Sequence, residues 1–135
     1  MIFTVEQSSP VPISEQIYAQ VIYGIASGAL PPGELIPSVR DLALELRVHP
    51  NTVAKAYRDL VREGRMVVPR PGRGLEVMPN APAAARKLRQ QIVSQRLRHV
   101  LREMMSTGLP RDEIRQLVED ELSRVDGQRR VREKP

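Results

Sequence analysis

The chain has 135 residues, no cysteine and a formal net charge of +5, which leaves room for one ordinary domain with an appended element and excludes a large multi-domain enzyme. The lack of cysteine rules out a disulfide framework, a cysteine-based zinc site and thiol chemistry, and suits a reducing interior. No apolar run approaches the roughly 18 residues of a membrane span and no secretory leader pattern opens the chain, so a soluble cytoplasmic protein with no membrane partner is expected.

The first predicted helix opens at Pro12, a good first-turn residue, and carries Ile13, Ile17, Val21 and Ile25 along one face, with Gly28 as its stop. Leu30-Pro31-Pro32-Gly33-Glu34 reads as a rigid turn. Ser38-Val39-Arg40-Asp41 then has capping-box spacing, and Leu42, Ala43 and Leu46 give the second helix a buried side. A short turn at Arg47-Val48-His49 leads to Pro50 at the first position of a third helix, which ends at Gly64. Its apolar stripe is Val53, Ala56, Tyr57, Leu60 and Val61, and the opposite face holds Asn51, Lys55, Arg58 and Arg62.

Met66-Val67-Val68 and Leu75-Glu76-Val77 predict two short strands joined by the stiff, basic loop Pro69-Arg70-Pro71-Gly72-Arg73-Gly74, which is a wing. Pro79-Asn80-Ala81-Pro82 marks a boundary. A long helix follows with Leu88, Ile92, Leu97, Val100, Leu101 and Met104 on one side, broken by Gly108 and Pro110. A last helix from Arg111 presents Ile114, Leu117, Val118 and Leu122. The expected organisation is a winged helix-turn-helix over 1–79, two dimerisation helices over 80–125 and a disordered tail over 126–135. The fold class is mainly α with a small β-hairpin.

Charge is informative by position. Bases and acids balance over residues 1–79, yet seven bases against Asp59 and Glu63 fall between Arg47 and Arg73, a local cationic surface. The first turn of a recognition helix meets base edges in the major groove while the preceding helix crosses the phosphates. Asn51 there can pair with adenine, Thr52 offers a hydroxyl or methyl, and Lys55 reaches guanine or phosphate. For Arg58 and Arg62 the simpler reading is a hydrated face, with Asp59 and Glu63 as neighbouring partners.

Ile17 through Gly74 resembles the DNA-binding domain of the GntR family of bacterial regulators. The residues that carry the likeness are Gln16-Ile17, Gly28 through Arg40, Leu42-Ala43, Asn51 through Tyr57, Leu60, Gly64, Gly72 and Gly74. The short helical remainder resembles the YtrA-like subfamily, in which two C-terminal helices serve dimerisation. The resemblance implies DNA contacts from Arg40, from Asn51, Thr52 and Lys55 at the opening of the recognition helix and from the wing at Gly72; Pro50, Arg58 and Arg73 are further candidate DNA-binding residues. Pro50 stands where many members carry a longer polar side chain, and His49 weakens the expected side-chain cap. Both departures shift weight onto Asn51, Thr52 and Lys55.

The expected function is a sequence-specific transcription regulator, a repressor that binds a palindromic operator in double-stranded DNA as a homodimer. A protein-binding winged-helix adaptor is the alternative, disfavoured by the groove-reading polar face. No catalytic constellation is present, no cofactor is expected, and His49 and His99 lack metal-ligand spacing. No residue pattern names a small-molecule effector.

Overall fold

The computed structural model describes residues 1–133. It contains two compact units, one from Met1 to Gln91 and one from Ile92 onward. The elements in order are α1 (Ile13–Ser27), β1 (Leu35–Ile36), α2 (Val39–Leu46), α3 (Pro50–Glu63), β2 (Val67–Arg70), β3 (Gly74–Val77), α4 (Ala81–Ser106) and α5 (Arg111–Glu133). This is a winged helix-turn-helix followed by two long helices, the expected fold class. Among the described residues, no helix is long and apolar enough to cross a membrane.

The first unit closes its own core. Ile17, Val21, Ile22 and Ile25 of α1 are fully buried, as are Leu42 of α2 and Val53, Ala56 and Leu60 of α3. Each fully buried branched side chain contributes about 1.5–3 kcal/mol relative to exposure. Pro12 is the N-cap of α1 and not a first-turn residue, because its ψ of 143° is still extended. The segment before it, on which the sequence pattern was silent, is tied along α1 by two glutamines. Gln16 accepts the Glu6 N–H at 2.8 Å and donates to the Glu6 and Val11 carbonyls at 3.0 and 2.8 Å. Gln20 makes a matching pair with the backbone of Thr4. The two amides imitate a strand partner and hold Phe3 in the core.

The wing is a three-stranded antiparallel sheet in the order β1-β3-β2, not a simple hairpin. Strand β1 escaped the sequence reading because two residues after a Pro-Pro-Gly turn cannot display an alternation. β2 runs further than expected: Pro69 and Arg70 pair with Leu75 and Gly74. Proline is tolerated there because β2 is an edge strand.

The compact unit also extends past residue 79, where the change in composition placed the boundary. Ala81 and Ala85 on the opening turns of α4 have no exposed surface, since a side chain of one carbon lets a helix approach closely.

The second unit is the opposite case. Ile114 is buried, but Val93, Leu97, Val100, Leu117, Val118 and Leu122 are exposed, Leu97 at 53% and Leu122 at 61%. Helix α5 continues through Glu133, so the disordered tail expected from 126 is corrected as far as 133. Low apolar content suggested disorder, yet ion pairs at helical spacing support the helix: Arg124 with Glu121 at 2.8 Å and Arg130 with Asp126 at 3.3 Å. They offset part of the roughly 1 kcal/mol that Gly127 costs in a helix interior. Residues 134 and 135 of that tail lie outside the described residues.

Candidate nucleic-acid interface

Helix α2 begins as its spacing predicts, with Ser38 Oγ accepting the Asp41 N–H at 3.2 Å. It ends on Arg47 in the left-handed region at φ 56°, where the residue's N–H bonds back to the carbonyls of Ala43 and Leu44. A side chain at that φ costs about 1–2 kcal/mol, so the turn into α3 is held tight against local strain. His49 then does what the sequence reading doubted. Its Nδ1 accepts the Asn51 N–H at 3.0 Å and caps α3, with Pro50 opening the helix behind it. An imidazole nitrogen replaces the usual hydroxyl or carboxylate oxygen in this role.

Two tyrosines fix the pose of α3. Tyr57 donates to the Pro37 carbonyl at 2.6 Å, tying the middle of the helix to the backbone just before α2. Burial, and next the charge of Glu45, hold its phenol above the ordinary range. Tyr18 of α1 donates to Glu63 Oε1 at 2.7 Å. Its phenol is likewise raised, first by burial and then by the bond to Glu63 and the charges of Glu63 and Asp59.

With its apolar stripe buried except at Val61, α3 presents Asn51, Lys55 and Arg58 to solvent, with Pro50 exposed at its start and Thr52 half-buried beside it. The cations differ in their partners. Lys55 Nζ lies 3.2 Å from Asp59, and Arg62 approaches the same carboxylate at 3.9 Å. Glu63 is occupied by Tyr18. Among the described residues, therefore, neither Asp59 nor Glu63, the neighbouring partners expected from the sequence, forms an ion pair with Arg58, which stays exposed on the helix face. Arg40, on the first turn of α2, is also exposed and has no ion-pair partner among the described residues.

At the wing tip, Arg73 N–H donates to the Arg70 carbonyl at 2.9 Å and closes a tight turn over Pro71 and Gly72. Gly72 adopts φ +74° with open space where a Cβ would stand, which suits a proline-glycine turn. Its partner glycine has a different task. At Gly74 a Cβ would meet the Ile36 carbonyl oxygen at 1.9 Å, so this glycine lets β1 lie against β3. Arg73 is exposed and its side chain has no ion-pair partner among the described residues, whereas Arg70 is held by Glu76, with Nε at 3.1 Å.

Between α3 and the wing runs an open groove of about 590 Å³. Ala54, Tyr57, Val61, Pro69, Pro71 and Leu75 contribute its apolar surface. Arg58, Arg62 and Arg70 also line it, and no carboxylate does. The groove thus brings together Arg58 and Gly72 among the expected site residues. Asn51, Thr52 and Lys55 stand on the opening turns of α3 outside it, and Arg40 adjoins it through Val39.

The chain matches the family model described as bacterial regulatory proteins, gntR family, over residues 13–77. It is 30% identical over 123 residues to the HTH-type transcriptional repressor YtrA of Bacillus subtilis (strain 168), covering 91% of this chain and 94% of that protein. Among solved structures, a transcriptional regulator from Oenococcus oeni superposes with a TM-score of 0.68 at 28% identity, covering 87% of this chain and 97% of that one. YtrA from Sulfolobus acidocaldarius, a GntR-family transcription factor, does so with a TM-score of 0.55 at 37% identity, covering 72% and 98%.

Proposed function

This chain belongs to the gntR family of bacterial regulatory proteins and is a DNA-binding transcription regulator, not an enzyme; from that premise we propose that it acts as a homodimeric repressor on a palindromic operator. The observation that carries the reading is the outward face of α3. With its apolar stripe committed to the core except at Val61, α3 turns Asn51, Lys55 and Arg58 outward together, and the ion pair of Lys55 with Asp59 does not account for that alignment. A side chain amide near the helix start suits adenine, and the cations suit guanine or phosphate. Arg40 on α2 and Gly72 with Arg73 on the wing supply positioning contacts on either side, and Pro50 fixes the direction in which α3 enters the groove.

Repression is proposed by likeness to the Bacillus YtrA, whose name describes a repressor. Dimerisation is proposed from the exposed apolar faces of α4 and α5, which a twofold partner would bury, and two equal heads require two half-sites. The test is a mobility-shift titration with a duplex selected from a random library. Arg40→Ala is expected to weaken that complex by about 1–3 kcal/mol if it reads a base, and to weaken selected and scrambled duplexes alike if it holds phosphate. Binding unchanged by Arg40→Ala and Asn51→Ala together would remove α2 and α3 from the interface.

A further inference from the structure

Helix α4 is a single helix that begins on the winged unit, which extends to Gln91, and continues through Ser106. Its root is tied to that unit in three ways. The Met78 N–H donates to the Met66 carbonyl at 2.8 Å and the Ala81 N–H to the Met78 carbonyl at 3.1 Å, which joins the start of the helix to the backbone entering β2. Ala81 and Ala85 pack with no exposed surface. One turn further on, the Arg89 guanidinium lies over the ring of Tyr23 on α1, 5.3 Å from its centroid. We propose that this last contact is a latch: Arg89 and Tyr23 set the angle at which α4 leaves the winged unit, and through it the spacing of operator half-sites that two subunits accept. The proposal rests on the homodimer reading and adds to it two positioning residues whose role is spacing, not contact with a base or a phosphate.

Arg89 is half-buried, yet no carboxylate lies at helical spacing from it, since Ala85, Arg86, Ile92 and Val93 hold the positions three and four residues away. The face of Tyr23 takes the place of an acid as the group its charge meets. The ring is 54% exposed, but it stands on a firm base, because Ile22 and Ile25 beside it on α1 are fully buried. Tyr18 of the same helix holds Glu63 at the end of α3, so α1 carries the recognition helix and the root of α4 on one frame. The two alanines allow close approach but, with one side-chain carbon each, interlock with nothing. A guanidinium seated on a ring face is directional. Direction matters because the helix is long. From Arg89 to Ser106 it runs about 25 Å, so a tilt of about 10° at the root carries the far end roughly 4 Å, more than the ~3.4 Å rise of one base pair. A small change of angle at Arg89 therefore decides between operator spacers that differ by a single base pair.

The experiment uses the full chain and a half-site selected from a random library, presented singly and as inverted pairs whose spacers lengthen by one base pair at a time. Affinity for each duplex is measured for the wild type, Arg89→Ala, Tyr23→Leu, Arg89→Lys and Tyr23→Phe, with Arg86→Ala removing an equal charge from an exposed position of the same helix. Light scattering and circular dichroism report mass and folding. Arg89→Ala and Tyr23→Leu should each lower the ratio of affinity for the best spacer to that for its neighbours by about 2- to 5-fold, the worth of one exposed cation–π contact, and leave the single half-site unchanged. Arg89→Lys and Tyr23→Phe keep a cation and a ring and should retain the wild-type profile, as should Arg86→Ala. If Arg89→Ala weakens single and paired half-sites alike while Tyr23→Leu changes nothing, Arg89 holds phosphate and the latch is overturned. A wild-type spacing profile in both Arg89→Ala and Tyr23→Leu overturns it as well. A dimeric wild type that binds every spacer equally would refute the latch and leave the homodimer reading standing. A monomeric wild type would instead sink the homodimer reading, and the latch with it.

Discussion

The winged unit and the helices beyond Gln91 solve the burial of apolar residues in opposite ways. In the winged unit, the isoleucines and valines that α1 turns inward, the stripe of α3 apart from Val61 and the inward residues of the sheet reach complete or near-complete burial within one chain. In the second unit, residues of the same chemistry at the same helical spacing remain 39–61% exposed from Leu117 through Leu122 on α5, and Leu97 on α4 is no better covered. Periodicity alone therefore states that a helix has an apolar face; how many other elements the chain supplies decides whether that face is covered. A sheet and three crossing helices can enclose a core, whereas two helices present their stripes outward.

That contrast can be broken most forcefully at the open faces. If the proposed dimer pairs through these faces, Leu97→Glu combined with Leu122→Glu should leave the winged unit folded but monomeric by light scattering, with affinity for the proposed operator falling about 100-fold or more as the second half-site contact is lost. A double variant that stays dimeric would show that these faces do not pair. The self-contained unit should be most sensitive at Gly74. Alanine there must push β1 away from β3, and a cost of about 2–4 kcal/mol, read from urea unfolding, is expected.

Smaller effects sharpen the same distinction. Tyr57→Phe leaves the Pro37 carbonyl without its buried donor and should destabilise the unit by about 1 kcal/mol. The pH dependence has a definite sign. A phenol whose proton is held more tightly in the folded state contributes stability below its ordinary value of 10.0 and loses it as pH rises beyond. Wild-type stability should fall in alkali more steeply than that of the phenylalanine variant. Arg47→Gly should stabilise by a few tenths to about 1 kcal/mol, because relief at φ 56° outweighs the added freedom of the unfolded chain. A lower melting temperature in that variant would show that the arginine side chain, not the backbone, secures the turn.

Much of this was legible in the residues. Three helices of the winged unit, their stops at Gly28 and Gly64, and the serine cap of α2 follow from local chemistry that acts within one or two turns. What escaped depends on distant partners or on unusual chemistry. The pairing of β1 with β3 joins residues some forty positions apart. The glutamine clasp on Thr4 and Glu6 has no pattern of its own, and a histidine cap is rare enough that the rule of oxygen acceptors concealed it. Site legibility divides similarly. The order of Asn51, Thr52 and Lys55 is written along the chain, but which acid holds which base is not. Asp59 could serve several cations by spacing, and only the folded side chains show that it leaves Arg58 alone.

The stretch Ile36-Pro37-Ser38 has a part larger than its length. The Ile36 carbonyl presses on Gly74 of the wing, the Pro37 carbonyl receives the tyrosine of α3, and the Ser38 side chain starts α2. Three successive residues are thus the common datum from which all three proposed DNA-contacting elements are measured. Side chains at the outward positions of α3 can be exchanged without disturbing that datum, so new target sequences are open to the molecule through surface changes alone. A single residue inserted between Ile36 and Ser38 would instead shift all three contacts relative to one another at once.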